Sequence, residues 1–246
     1  MPPYHWWRTV FLLIPAISIY TIVLGTVSLA SALVDAAGGR ASPRWRRGRV
    51  AHWCARAWAR LILVTTGVRV TLRQSPTVEE HASYIFASNH QSIYDIPILF
   101  ASLPCQLRIV AKASLGRFPF LGWHLRWTGH LLVDRDRPGP GILKKMARLV
   151  GDGASLIVFP EGTRSRDGSV AAFKGGLFLL AIEARMPIVP VSVSNSRHVM
   201  LKGRLMTCPG HVTVTVHDPI PTRDLQRTDA RALAGRVREV VAKDVT

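Results

Sequence analysis

The sequence predicts an α/β fold: a layered mixed sheet flanked by helices, preceded by an N-terminal membrane-associated helical segment. Three observations carry this expectation. A 26-residue stretch near the N-terminus has no charge, seven short β-rich runs follow it, and helical stretches lie between several of those runs. A chain of 246 residues suits one α/β domain with an appended helical region, and we place the boundary between residues 1–66 and 67–246.

The uncharged stretch runs from Thr9 to Val34. As a helix it would extend about 39 Å, against a hydrocarbon core of about 30 Å. Pro15 and Gly25 allow a bend, so a full span and a re-entrant arm both fit. Arg40, Arg44, Arg46, Arg47 and Arg49 follow directly and resist translocation, which argues against a cleaved leader and keeps the body of the protein on the cytoplasmic side of its membrane, an inner membrane if the source is bacterial. Residues 49–68 then place Val50, Trp53, Cys54, Ala57, Trp58, Leu61 and Ile62 on one helical face, with Arg49, Arg56 and Arg60 on another. An interfacial helix and a helix packed on the domain core both satisfy that pattern.

Beyond Gly67, strands are expected at VRVTL, YIFAS, LRIVA, HLLVD, SLIVFP, IVPVSV and HVTVTV. Helices are expected at GILKKMARLVGDG, GGLFLLAIEARM and ARALAGRVREVVAKD. In such layered folds the ligand site lies where loops leave the strand ends.

The 32 Lys and Arg against 15 acidic residues give a net charge of +17, which calls for an anionic partner. An anionic lipid surface fits better than nucleic acid, because no nucleic-acid motif is present and only a membrane accounts for the uncharged stretch. Cys54, Cys105 and Cys208 lie far apart without metal-ligand spacing, so reduced thiols are expected, with no metal and no cofactor.

The run FASNHQSIYDIP, residues 86–97, sets His90 five residues before Asp95 at the end of an expected strand. A carboxylate on one ring nitrogen fixes the imidazole and frees the other nitrogen as a base. On a continuous helix the two would diverge, so they meet only across a turn or a helix start, and Pro97 marks such a start. Asn89 and Ser92 are suited to hold that turn. FPEGTRS follows a strand; its Gly162 permits close backbone approach, and Arg164 offers a planar fork for phosphate. Lys112 and Arg135 are further cations placed after strands, although Arg135 has Asp134 and Asp136 beside it. FPFLGW reads either as the lining of an apolar path or as a packed loop.

NHQSIYD, KASLGRFPFLGW with GHLLVDRD, FPEGTRS and IVPVSV occur in this order, and together they resemble the membrane-associated glycerolipid acyltransferases over about residues 68–195. The resemblance implies acyl transfer from acyl-CoA or acyl-carrier protein to a glycerol hydroxyl, with His90 as base and Asp95 orienting it. It assigns Glu161, Gly162, Thr163 and Arg164 to the acceptor's glycerol phosphate. The expected acceptor is a lysophospholipid, foremost 1-acylglycerol-3-phosphate; another lysolipid such as a lyso-ornithine lipid is the alternative. With no Gly-x-Ser-x-Gly elbow and no recognisable nucleophilic Cys, direct transfer without an acyl-enzyme is expected.

Overall fold

The computed structural model describes residues 3–37, 48–117, 120–133 and 141–245. The N-terminal stretch is one helical run: α1 (Pro3–Arg8), a π-helical turn (Thr9–Leu13) and α2 (Ile14–Ala37). Pro15 does not break it. The wider turn just before it, in which the Ile14 N–H reaches back to the Thr9 carbonyl, absorbs the ring that an α-helical turn would reject. The most apolar 18-residue window within residues 4–37 has a mean hydropathy of 2.3 and only 11% of it is buried in the protein, so the run is long and apolar enough to cross a membrane.

α3 (Arg49–Thr66) folds back antiparallel to α2. Trp58 Nε1 donates to Thr21 Oγ1 at 2.9 Å, the Tyr20 hydroxyl meets Thr65 Oγ1 at 3.2 Å, and Arg8 caps the helix end by donating to the Thr66 carbonyl at 2.9 Å. Of the two alternatives left open by the sequence, packing on the domain core holds for one face of the helix. Cys54, Ala59, Ile62 and Leu63 are buried, the last three within the domain core, while Val50, Trp53, Leu61 and Val64 are exposed. Gly67, at φ 75°, stops the helix and turns the chain into the sheet.

The sheet has seven strands in the order β1 (Val68–Gln74), β7 (Gly210–Val216), β6 (Ile188–Ser194), β2 (Ile85–Ser88), β5 (Ser155–Val158), β3 (Leu107–Lys112) and β4 (Leu131–Val133). It is mixed, as expected. β6 and β7 pair antiparallel and every other neighbour pairs parallel, so β1 and β7 run against the remaining five. The central strands are buried on both faces, which is why SLIV and IVPVSV are continuously apolar or small. Period-two alternation still sorts their side chains. Phe86, Ile157, Val189 and Val191 face the layer of α3 and α4 (Asp95–Ser102); Ile85, Leu156, Val158 and Ile188 face α6 (Ile142–Gly151), α7 (Gly175–Glu183) and α9 (Ala230–Lys243).

All seven expected strands and all three expected domain helices form, some with shorter ends. β5 stops at Val158, leaving Phe159 and Pro160 to lead into a turn, and α7 stops at Glu183 because Arg185 adopts φ 52°. FPFLGW is divided: Phe118 and Pro119 lie outside the described residues, whereas Leu121 opens α5 (Leu121–Trp127). The preceding Phe120, at φ 60°, docks its ring on Gly25 of α2, where an added Cβ would approach to 2.8 Å. Arg40, Arg44, Arg46 and Arg47 also lie outside the described residues.

Candidate active site

β2, β5 and β3 run parallel side by side, so the loops leaving their C-terminal ends share one edge of the sheet. His90 follows β2, Glu161–Arg164 follow β5, and Lys112 ends β3.

The turn after β2 is held at both ends. Asn89 acts as one further rung of the sheet: its side-chain amide donates to the Val193 carbonyl and accepts from the Val193 N–H, both at 2.8 Å. Asp95, the first residue of α4 and fully buried, closes the other end. Its Oδ2 accepts from the Gln91 N–H at 2.7 Å, from the Ser92 N–H at 2.9 Å and from His90 Nδ1 at 2.7 Å. The five-residue spacing therefore works because the intervening backbone wraps around the carboxylate. With Nδ1 donating to Asp95, Nε2 is left as the basic nitrogen of His90. The ring is 14% exposed and stacks on Phe159, centroids 4.0 Å apart and planes within 17°. An aromatic floor and a carboxylate thus fix both its plane and its rotation.

The FPEGTRS turn interlocks with the first. Glu161 Oε1 accepts from the His90 N–H at 2.7 Å and Oε2 from the Ala171 N–H at 3.1 Å, while the Ser165 N–H donates to the His90 carbonyl at 2.7 Å. Burial pushes the Glu161 carboxyl above its usual value, and the two N–H donors oppose that shift. Both oxygens of Glu161 are engaged by backbone rather than turned to an open face. Gly162 takes φ 78°, and its N–H closes the turn on the Phe159 carbonyl. Thr163 is exposed and Arg164 half-buried. The Arg164 guanidinium makes no hydrogen bond or ion pair among the described residues, and neither does the exposed Lys112 ammonium. Arg135, with Asp134 and Asp136, lies outside the described residues.

Three participants have no signal in the sequence. Phe159 supplies the stacking floor, Gln91 Nε2 donates to the Gly168 carbonyl at 2.9 Å, and Lys202 Nζ donates to Thr163 Oγ1 at 2.9 Å and to the Arg164 carbonyl at 2.7 Å. Lys202 lies 38 residues beyond Arg164, so only the fold brings it to the turn. No cluster of metal-ligating side chains occurs among the described residues.

One edge of the mixed sheet carries a carboxylate-held imidazole on the loop after β2 and, on the loop after the neighbouring β5, a guanidinium with no partner among the described residues. The family follows from direct comparison: residues 69–194, about half of the chain, match the Acyltransferase family model, and the chain belongs to that family. It is 35% identical to human 1-acyl-sn-glycerol-3-phosphate acyltransferase alpha over 175 residues, covering 70% of this chain and 62% of that protein. It is 34% identical to the 1-acyl-sn-glycerol-3-phosphate acyltransferase of Limnanthes douglasii over 167 residues, covering 67% and 59%. The match thus spans about three fifths of the length of these curated relatives. The crystal structure of the 1-acyl-sn-glycerophosphate acyltransferase PlsC from Thermotoga maritima superposes with a TM-score of 0.72 at 25% identity, over 92% of each chain.

Proposed function

We propose that this protein transfers an acyl chain from a thioester donor to the free hydroxyl of 1-acylglycerol-3-phosphate, giving phosphatidic acid. The observation that carries the reading is the 2.7 Å contact of His90 Nδ1 with Asp95, set on the same sheet edge as the unpaired Arg164. The names of the relatives support the same acceptor.

His90 Nε2 takes the hydroxyl proton as that oxygen attacks the thioester carbonyl carbon, and Asp95 stabilises the imidazolium that forms. The tetrahedral intermediate collapses with breakage of the C–S bond, and the imidazolium returns its proton to the departing thiolate. No acyl-enzyme is needed. Arg164 and Lys112 hold the acceptor phosphate, the guanidinium by a two-pronged contact. The donor is acyl-CoA or acyl-carrier protein. The apolar helical run, the exposed Trp53 face of α3 and the net charge of +17 support a seat on a membrane with anionic lipids, the catalytic edge on the cytoplasmic face.

The test is turnover of an acyl thioester with a panel of lysolipids. Preference for the phosphomonoester acceptor is expected; indifference to the phosphate would shift the reading to a different lysolipid. His90→Ala should lower acyl transfer by at least about a hundredfold with vesicle attachment unchanged, since base catalysis typically contributes about 10² to 10⁴-fold. Retained turnover would remove His90 from the chemistry.

A further inference from the structure

Next to the turn that carries Arg164 lies a recess of about 420 Å³ lined by Arg166, Arg197, Leu201, Lys202, Gly203 and Arg204. Among the described residues, four of the six that line it are cations and none is a carboxylate. None of the four is ion-paired among the described residues; Arg197 Nε donates to the Arg166 carbonyl at 3.1 Å and Lys202 to Thr163 and Arg164, while the side chains of Arg166 and Arg204 have no such bond. The nearest carboxylate in sequence, Asp167, is engaged by Ser165 and Ser169. Unpaired like charges gathered in a concavity repel one another and raise its affinity for a polyanion.

The walls of the recess touch both halves of the catalytic centre. Met200, beside Leu201, accepts from Ser92 Oγ at 2.8 Å, so this wall is one hydrogen bond from the His90–Asp95 turn. Lys202 grips Thr163 and Arg164. Arg197 lies against Gly168, whose carbonyl Gln91 holds.

We propose that this recess seats the adenosine 3′,5′-bisphosphate end of coenzyme A, and so selects acyl-CoA as the donor. The inference rests on the acyl-transfer reading above and names its second substrate. Charge matches: the diphosphate and the 3′-phosphate together carry nearly four negative charges, a phosphomonoester contributing about −1.5 to −2. Size matches too, because small-molecule pockets occupy about 300–1,000 Å³, whereas an acidic carrier protein needs a broad surface and gains little from a dent. Leu201 offers an apolar face for the base, and Gly203, at φ 82° with nothing near a would-be Cβ, lets backbone approach a phosphate. A donor seated here extends its pantetheine arm past the Thr163–Arg164 turn, which Lys202 holds, toward His90.

The full-length protein in detergent is titrated calorimetrically with coenzyme A, and its steady-state kinetics are compared with Arg166→Gln/Arg204→Gln, two changes that remove no intramolecular bond. Coenzyme A is expected to bind wild type and to bind the double variant at least tenfold more weakly. The KM for acyl-CoA should rise by a similar factor, while the KM for an acyl-pantetheine lacking the nucleotide is the same in both. Adenosine 3′,5′-bisphosphate should compete with acyl-CoA in wild type. Absence of coenzyme A binding, equal binding by both proteins, a rise in acceptor KM instead, or preference for acyl-carrier protein would each overturn the assignment. Wild type that binds coenzyme A yet acylates no lysophosphatidic acid would overturn the acyl-transfer reading while upholding the recess.

Discussion

At the residue scale, each functional side chain is defined by what its polar atoms already hold. Arg164 holds nothing among the described residues, so its guanidinium is available to a ligand. Arg164→Ala should raise the acceptor KM by at least about tenfold, the loss of a charge-assisted contact of about 1.5–3 kcal/mol, and Arg164→Lys should recover only part of it because the charge stays and the fork goes. Glu161 is the opposite case. The family resemblance implies a role at the acceptor, but both oxygens sit on backbone N–H groups, one of them that of His90. Glu161→Gln turns an amide N–H₂ toward one of these donors; kcat should fall roughly tenfold or more with little change in acceptor KM, and a KM effect instead would place Glu161 against the substrate. Burial raises this carboxyl, so ionising it costs the folded state more than the unfolded one. Relative to the Gln variant, wild type should therefore lose thermal stability as pH rises from the usual 4.5 through the raised value, which unfolding curves across that interval would show.

The His90–Asp95 pair was legible from the sequence because its elements lie within one turn; Asn89 and Ser92 do hold that turn, but through the distant backbone of Val193 and Met200 rather than the local backbone that short polar side chains suggest. Phe159, Gln91 and Lys202 were not legible, because stacking, a side-chain bond across 77 residues and a reach of 38 residues leave no periodicity or spacing behind. Arg135, a cation expected beside the phosphate, falls outside the described residues.

At the scale of elements, the site depends on two loops that leave neighbouring parallel strands and bond to each other through the His90 and Ser165 backbones. A change in one loop therefore displaces the base as well as the clamp. Gly162→Ala tests this. At φ 78° a Cβ is strained, and it would come within 3.1 Å of Lys174 Cε. Stability should drop by about 1–2 kcal/mol, the cost of a left-handed non-glycine residue. Turnover should drop further than stability accounts for, because Glu161 and Ser165 flank the displaced glycine. Full activity at a temperature well below the melting transition would show that the two loops move independently. The central strands were legible in the sequence because burial on both faces leaves continuous apolar runs, and β7 because its buried residues alternate. Their order was not, since parallel neighbours such as β2 and β5 are separated by some 70 residues and no local pattern specifies which strands meet.

At the scale of the whole molecule, two features suit the chain to a bilayer surface, and they respond differently to salt. The helical run through residues 4–37 exposes Trp6, Trp7, Phe11 and Leu12 near its start and Ile19, Ile22 and Val23 along its length; α3 adds Trp53 and Val64. Transfer of these side chains into lipid draws on apolar area and is indifferent to ionic strength. On the proposed anionic surface, the surplus of 17 positive charges should attract headgroups at about 1 kcal/mol per cation near the surface, but the Debye length shrinks to about 3 Å at 1 M salt. In flotation with sealed vesicles, the full chain should therefore remain bound at 1 M salt, even to uncharged lipid. Anionic lipid should speed association at low salt and lose that advantage as salt rises. Release of the protein by salt alone would mean that the charges, and not the helix, hold it to the surface, and the α2–α3 hairpin would then be a buried interface awaiting another protein.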